Sequence, residues 1–117
     1  MNSDFVTNRF YKIEELVRLV KEKKGRDAIY MIYVPKNADD LVSGMDVYVG
    51  DVPAFDDDDN EVFPESVIAL GLERGYMQEH FEDVVDVAYK QRPTASTDDV
   101  IRCLNYYAQH DSFLDLS

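Results

Sequence analysis

Ala28-Ile29-Tyr30-Met31-Ile32-Tyr33-Val34, closed by Pro35, is the run whose reading decides the fold. Five of its seven positions are β-branched or aromatic, and none carries a charge. A half-buried strand alternates apolar and polar residues, so an unbroken run of this kind predicts a central strand covered on both faces. Pro35 has no N–H to donate to a ladder and stops it. Met45-Asp46-Val47-Tyr48-Val49-Gly50-Asp51 alternates less strictly and predicts a neighbouring strand, with the segment from Asp39 to Gly44 as the connection.

Helical spacing flanks this pair. Phe10, Ile13, Leu16, Val17 and Val20 form an apolar stripe followed by Lys21, Lys23 and Lys24, and Gly25 sits where a C′ glycine would end the helix. Past Val52-Pro53, Pro64 can open a short helix over Glu65 to Leu72, with Gly71 or Gly75 at its end. Tyr76 and Met77 predict a brief strand, and Phe81, Val84, Val85, Ala88 and Tyr89 a helix that Pro93 terminates. Ser96 or Thr97 can cap a last helix with Asp98 and Asp99 in its first turn. Val100, Leu104 and Tyr107 mark its buried face, which Ile101 and Ala108 widen. Cys103 falls inside that pattern as a small core residue, and a lone thiol forms no internal disulfide. Phe113, Leu114 and Leu116 return over the core or as a short strand. The expected architecture is α+β: a small antiparallel-type sheet with three to four helices packed mainly on one side. A chain of 117 residues fits one domain, 1–117, with residues 1–19 a possible N-terminal helical addition.

Charge carries the functional signal. Residues 1–36 hold eight Lys/Arg against five Asp/Glu, residues 37–73 hold eleven carboxylates and no Lys or Arg, and residues 74–117 hold four against eight. The net charge of −12 disfavours direct contact with nucleic acid or an anionic membrane and favours steered association with a basic protein. The densest stretch is Asp56-Asp57-Asp58-Asp59-Asn60-Glu61. Read as an EF-hand loop it fails in both registers, since Glu61 or Val62 stands where glycine is needed and Val67 or Ile68 where the bidentate glutamate belongs. A simple solvated loop is the competing reading of the run.

Nothing in the sequence points to catalysis. His80 and His110 have no ligand-type residue at metal spacing, no GxSxG, GxxxxGK[ST] or GxGxxG occurs, and carboxylates are too abundant to single out an acid/base pair. No catalytic residue, metal site or cofactor is expected. No apolar run approaches the length of a membrane span, and Met1-Asn2-Ser3-Asp4 lacks the basic start of a signal peptide, so a cytoplasmic location is expected. The chain has eight tyrosines. Tyr106 and Tyr107 point about 100° apart on a helix, so one of them lies near the surface, where a tyrosine beside acidic residues is a good interface anchor.

A resemblance rests on Ile29-Tyr30-Met31-Ile32-Tyr33-Val34-Pro35, Val62-Phe63-Pro64, Phe81-Glu82-Asp83-Val84-Val85 with Lys90-Gln91-Arg92-Pro93, and Leu104-Asn105-Tyr106-Tyr107-Ala108 with His110-Asp111-Ser112-Phe113. These stretches resemble a family of small bacterial proteins of uncharacterised function, themselves similar to the immunity proteins of contact-dependent growth inhibition and related polymorphic toxin systems. The resemblance spans the chain from Val20 to Ser117 and is strongest in the C-terminal half. It implies a small acidic cytosolic protein that covers the active-site cleft of a cognate toxin domain, a basic nuclease being the typical case. The candidate partner-binding residues are Asp39, Asp40, Asp46, Asp51, Asp56, Asp57, Asp58, Asp59 and Glu61, joined by Glu79, Glu82, Asp83 and Tyr106. The alternative expectation is an acidic adaptor or prophage protein that binds a basic host protein without any toxin.

Overall fold

The computed structural model describes residues 5–36, 38 and 40–116. Six strands and four helices follow one another as β1 (Arg9–Lys12), α1 (Ile13–Lys21), β2 (Met31–Pro35), β3 (Asp46–Gly50), β4 (Ala54–Phe55), β5 (Glu61–Val62), α2 (Glu65–Ala69), β6 (Leu72–Met77), α3 (Gln78–Gln91) and α4 (Thr97–His110). Four strands form an antiparallel sheet in the order β1-β3-β2-β6, and β4 and β5 form a separate two-stranded hairpin. The fold is α+β.

β2 is an inner strand, and Met31, Ile32, Tyr33 and Val34 are all buried. Alternation sends them to two cores. Ile32 and Val34 join the main core with α1, α3 and α4, whereas Met31 and Tyr33 join Tyr48, Val67 and Leu72 in a smaller one on the opposite face, against which Phe63 packs. A strand apolar on both sides therefore has a partner layer on both sides. It begins at Met31 rather than Ala28 because the side chain of Gln78 takes the backbone groups before it. Tyr30 N–H donates to Gln78 Oε1 at 3.1 Å, and Gln78 Nε2 donates to the Ala28 carbonyl at 2.8 Å. Ile29 is left exposed.

The first helix starts three residues later than the stripe suggests. Phe10 lies in β1, opposite Tyr48 in the register and with its ring 5.0 Å from that ring, while Tyr11 turns into the core. A period of two thus replaces 3.6 for these residues, because the edge of β3 was open to them. The described part of residues 1–19 supplies β1 and most of α1, whose Ile13, Leu16, Val17 and Leu19 are core side chains. The helix ends at Lys21, and Lys23 takes the left-handed conformation (φ 65°) expected of Gly25. Gly25 is also left-handed (φ 75°), and the Phe5 ring packs where its side chain would stand.

α2 stops at Ala69, short of the expected Leu72, because Gly71 turns left-handed (φ 68°) and sends Leu72 into the second core. The brief strand expected at Tyr76 and Met77 is the six-residue β6, paired along β2 with a register shift between Ile32 and Tyr33. α4 opens as expected at Ser96, whose hydroxyl accepts from Asp99 N–H at 3.1 Å while the Asp99 carboxylate accepts from Ser96 N–H at 3.2 Å. Its buried face is Val100, Ile101, Cys103 and Leu104; Tyr107 is only partly buried and Ala108 is exposed. The described tail forms no strand. Leu116 is buried, held by Gln91 and Arg92.

Candidate functional site

The aspartate run forms the tip of the β4–β5 hairpin. Asp56 N–H donates to the Asn60 carbonyl and Asp59 N–H to the Asp56 carbonyl, each at 3.0 Å. Asp56 Oδ1 accepts from the backbone N–H of both Asp58 and Asn60 at 2.9 Å. Those bonds, the Asn60 one foremost, hold the Asp56 carboxyl below the ordinary carboxylate range. Asp59 is left-handed (φ 63°), a conformation that Asp tolerates better than most residues. Two of the four aspartates therefore have a structural task, one as an Asx-type acceptor and one as the turn's left-handed residue. Asp57 and Asp58 have none, and they stand exposed at the tip.

Both stems of the hairpin are tied to Tyr33. Its hydroxyl donates to the Asp51 carbonyl at 2.7 Å on the incoming side, and its ring meets that of Phe63 edge-on at 6.2 Å on the outgoing side. Arg74 of β6 forms an ion pair with Glu61. Glu61 is thus neutralised internally, whereas Asp57, Asp58 and Asp59 have no cation beside them among the described residues. Phe55, immediately before the acidic turn, is 68% exposed. Sequence reading passed over it because a lone aromatic in a polar loop carries no periodicity, although its position next to Asp56 was a usable signal.

The other predicted residues are dispersed. Asp46 pairs with Lys12 of β1 at 3.1 Å, and Asp51 is exposed at the entry to the hairpin. Asp40 accepts a long bond from Gln109 (3.4 Å), and Asp39 lies outside the described residues. On α3, Glu79 and Asp83 are exposed, but Glu82 is turned inward. It accepts from the Tyr30 hydroxyl at 2.9 Å and Gln78 Nε2 at 3.2 Å, and lies 3.8 Å from Arg26. Arg26 also donates to both oxygens of Asp86 at 3.1 and 2.8 Å, and Lys23 adds a third bond at 3.1 Å. Hydrogen bonding from Arg26 above all keeps Asp86 below its ordinary range. The acidic stripe of α3 is therefore half structural. Tyr106 is partly buried with its ring 4.3 Å from that of His110. α3 packs on the main core and the hairpin is anchored to the second core, so the acidic residues occupy two sides of the sheet instead of one surface.

No group of three or more His, Cys, Asp or Glu side chains among the described residues is arranged to hold a metal ion. Two concavities lie along β6 between the sheet and α4, and a third of about 400 Å³ lies between α1 and Tyr89 of α3; none of them is lined by the acidic turn. No helix among the described residues is long and apolar enough to cross a membrane.

Fold and site define a small α+β domain that carries an acidic hairpin on the less covered face of its sheet. Residues 12–116 match the family model described as "Domain of unknown function (DUF7716)", and the chain belongs to that family. No curated protein matches it, and no solved structure does.

Proposed function

We propose that this protein is a non-catalytic binder of the immunity type, which neutralises a basic bacterial toxin domain through the β4–β5 hairpin. The observation that carries the reading is the exposed tip Asp57-Asp58-Asp59. Like charges held together on a short ribbon repel one another, and no cation among the described residues relieves them, so a basic partner lowers their energy on contact. Asp56 fixes the shape of the turn, so the carboxylates are presented in one arrangement before binding, which limits the ordering entropy. Phe55 beside them supplies the apolar anchor that a tight complex requires in addition to charge. The resemblance to immunity proteins supplies the toxin as partner, and a nuclease cleft built to hold phosphates is the surface such a hairpin suits.

The test is co-expression with the polypeptide encoded beside this gene, followed by purification of the complex and association kinetics at low and high salt. The expected result is suppression of that polypeptide's toxicity and recovery of one basic protein, with association slowed by salt far more than dissociation is accelerated. Recovery of a host housekeeping protein with no effect on toxicity would replace the immunity reading with that of an adaptor.

A further inference from the structure

We propose that the open edge of β6, with the groove between it and α4, binds an extended basic peptide segment as an added strand. β6 ends the sheet order, with β2 on one side and no strand on the other among the described residues. Among the described residues, no backbone hydrogen bond from outside the sheet reaches Glu73–Tyr76. The outward row of N–H and C=O groups is therefore available, the condition for strand addition.

Beside this edge lie two open cavities. One, of about 330 Å³, is lined by Arg74–Met77 and faced by His80 and Tyr107; the other, of about 270 Å³, runs from Glu73–Tyr76 inward over Val34, Leu41 and Met45 beneath α4, and is faced by Asp40 and Gln109. Successive side chains of a strand point to opposite faces, so the first cavity, which touches four consecutive residues of β6 and none of β2, follows the strand's edge, and the second continues it under α4 onto the main-core face. The two cavities share Arg74, Gly75 and Tyr76 of β6 and Ala108 of α4, which makes them neighbours along one groove. Alternate side chains of an added strand are about 7 Å apart and would enter them in turn.

The lining sets the chemistry of the occupant. Asp40 and Glu73 face the second cavity and Asp111 borders the first. Arg74, the cation present in both linings, is committed to Glu61. An acidic wall next to an aromatic one selects a segment with a Lys or Arg two residues from a large apolar side chain. The opposite edge of the sheet, β1, is only four residues long and carries Arg9 and Lys12, charges of the wrong sign for a basic segment. This inference rests on the acidic-binder reading and gives the partner a second point of contact, away from the hairpin.

The test is selection from a displayed library of random peptides on the whole protein, with the Ala108→Trp variant as counter-target. Ala108 is exposed on α4, so the indole fills the groove without entering the core. The expected result is enrichment of peptides with a Lys or Arg two residues from an aromatic side chain. They should bind Ala108→Trp at least tenfold more weakly and slow amide exchange within Leu72–Met77 of the wild type. Peptides that bind both proteins equally, protection confined to Ala54–Val62, or no enrichment would overturn it. Protection of β6 that grows with protein concentration in the absence of peptide would also overturn it, assigning the edge to a second copy of the chain. An Asp57→Asn/Asp58→Asn variant separates the two readings. If it loses the peptides while Ala108→Trp keeps them, the hairpin binds and the groove does not.

Discussion

Tyr33 shows how one core side chain can set the position of a surface element. Its ring belongs to the second core, and its hydroxyl and ring hold the two stems of the acidic hairpin. Burial raises its phenol to about 12, so it remains a donor across the physiological range. Tyr33→Phe is expected to lose about 1 kcal/mol of stability, seen in urea unfolding, and to speed amide exchange in the hairpin. Unchanged exchange there would mean that the Asp51 bond does not hold the stem. Asp86 makes a pH prediction whose sign follows from its depressed carboxyl. Its contribution is complete above the ordinary carboxylate range and is lost as pH falls through the lower folded-state value. Acid unfolding of Asp86→Asn should therefore be shallower than that of the wild type over that window, and parallel curves would argue against the Arg26 pairing. A methyl at Gly75 would stand 2.6 Å from Val34 Cγ1 and 3.2 Å from the Ile32 carbonyl oxygen. Gly75→Ala is expected to cost about 1–3 kcal/mol through overpacking, measured by thermal or urea unfolding.

Among the elements, α4 is the one whose start was plain in the sequence, because Ser96 and Asp99 bond each other's backbone locally. Ser96→Ala should remove about 1 kcal/mol, again by urea unfolding, without altering the hairpin's exchange. β1 was hidden for the opposite reason. Phe10 fits a helical stripe and a strand equally well, and only the presence of β3 alongside decides between them. β6 was underestimated because Glu73, Arg74 and Gly75 are poor strand formers in isolation, and pairing with β2 overrides that preference. The hairpin lay inside what reads as an acidic loop. Two-residue strands have no periodicity to detect, and the anchors Tyr33 and Arg74 are distant in sequence.

For the molecule as a whole, the charge excess is the property most open to experiment. Replacing Asp57, Asp58 and Asp59 together by Asn removes repulsion without touching the Asp56 bonds, so stability should hold within about 0.5 kcal/mol or rise. The same change should flatten the salt dependence of association with the partner. A clear loss of stability would show that these carboxylates are structural. The sequence by itself determined the α+β class, the doubly buried central strand, the capped last helix and the location of the acidic run, because each rests on local composition or spacing. Only the tertiary structure decided which carboxylates are spent on Arg26, Lys12 and Arg74, and which stand unpaired. It alone set the acidic residues on two sides of the sheet and left β6 with an open edge beside a groove. Those outcomes depend on side chains far apart in the chain meeting across the sheet, and no local pattern encodes such a meeting.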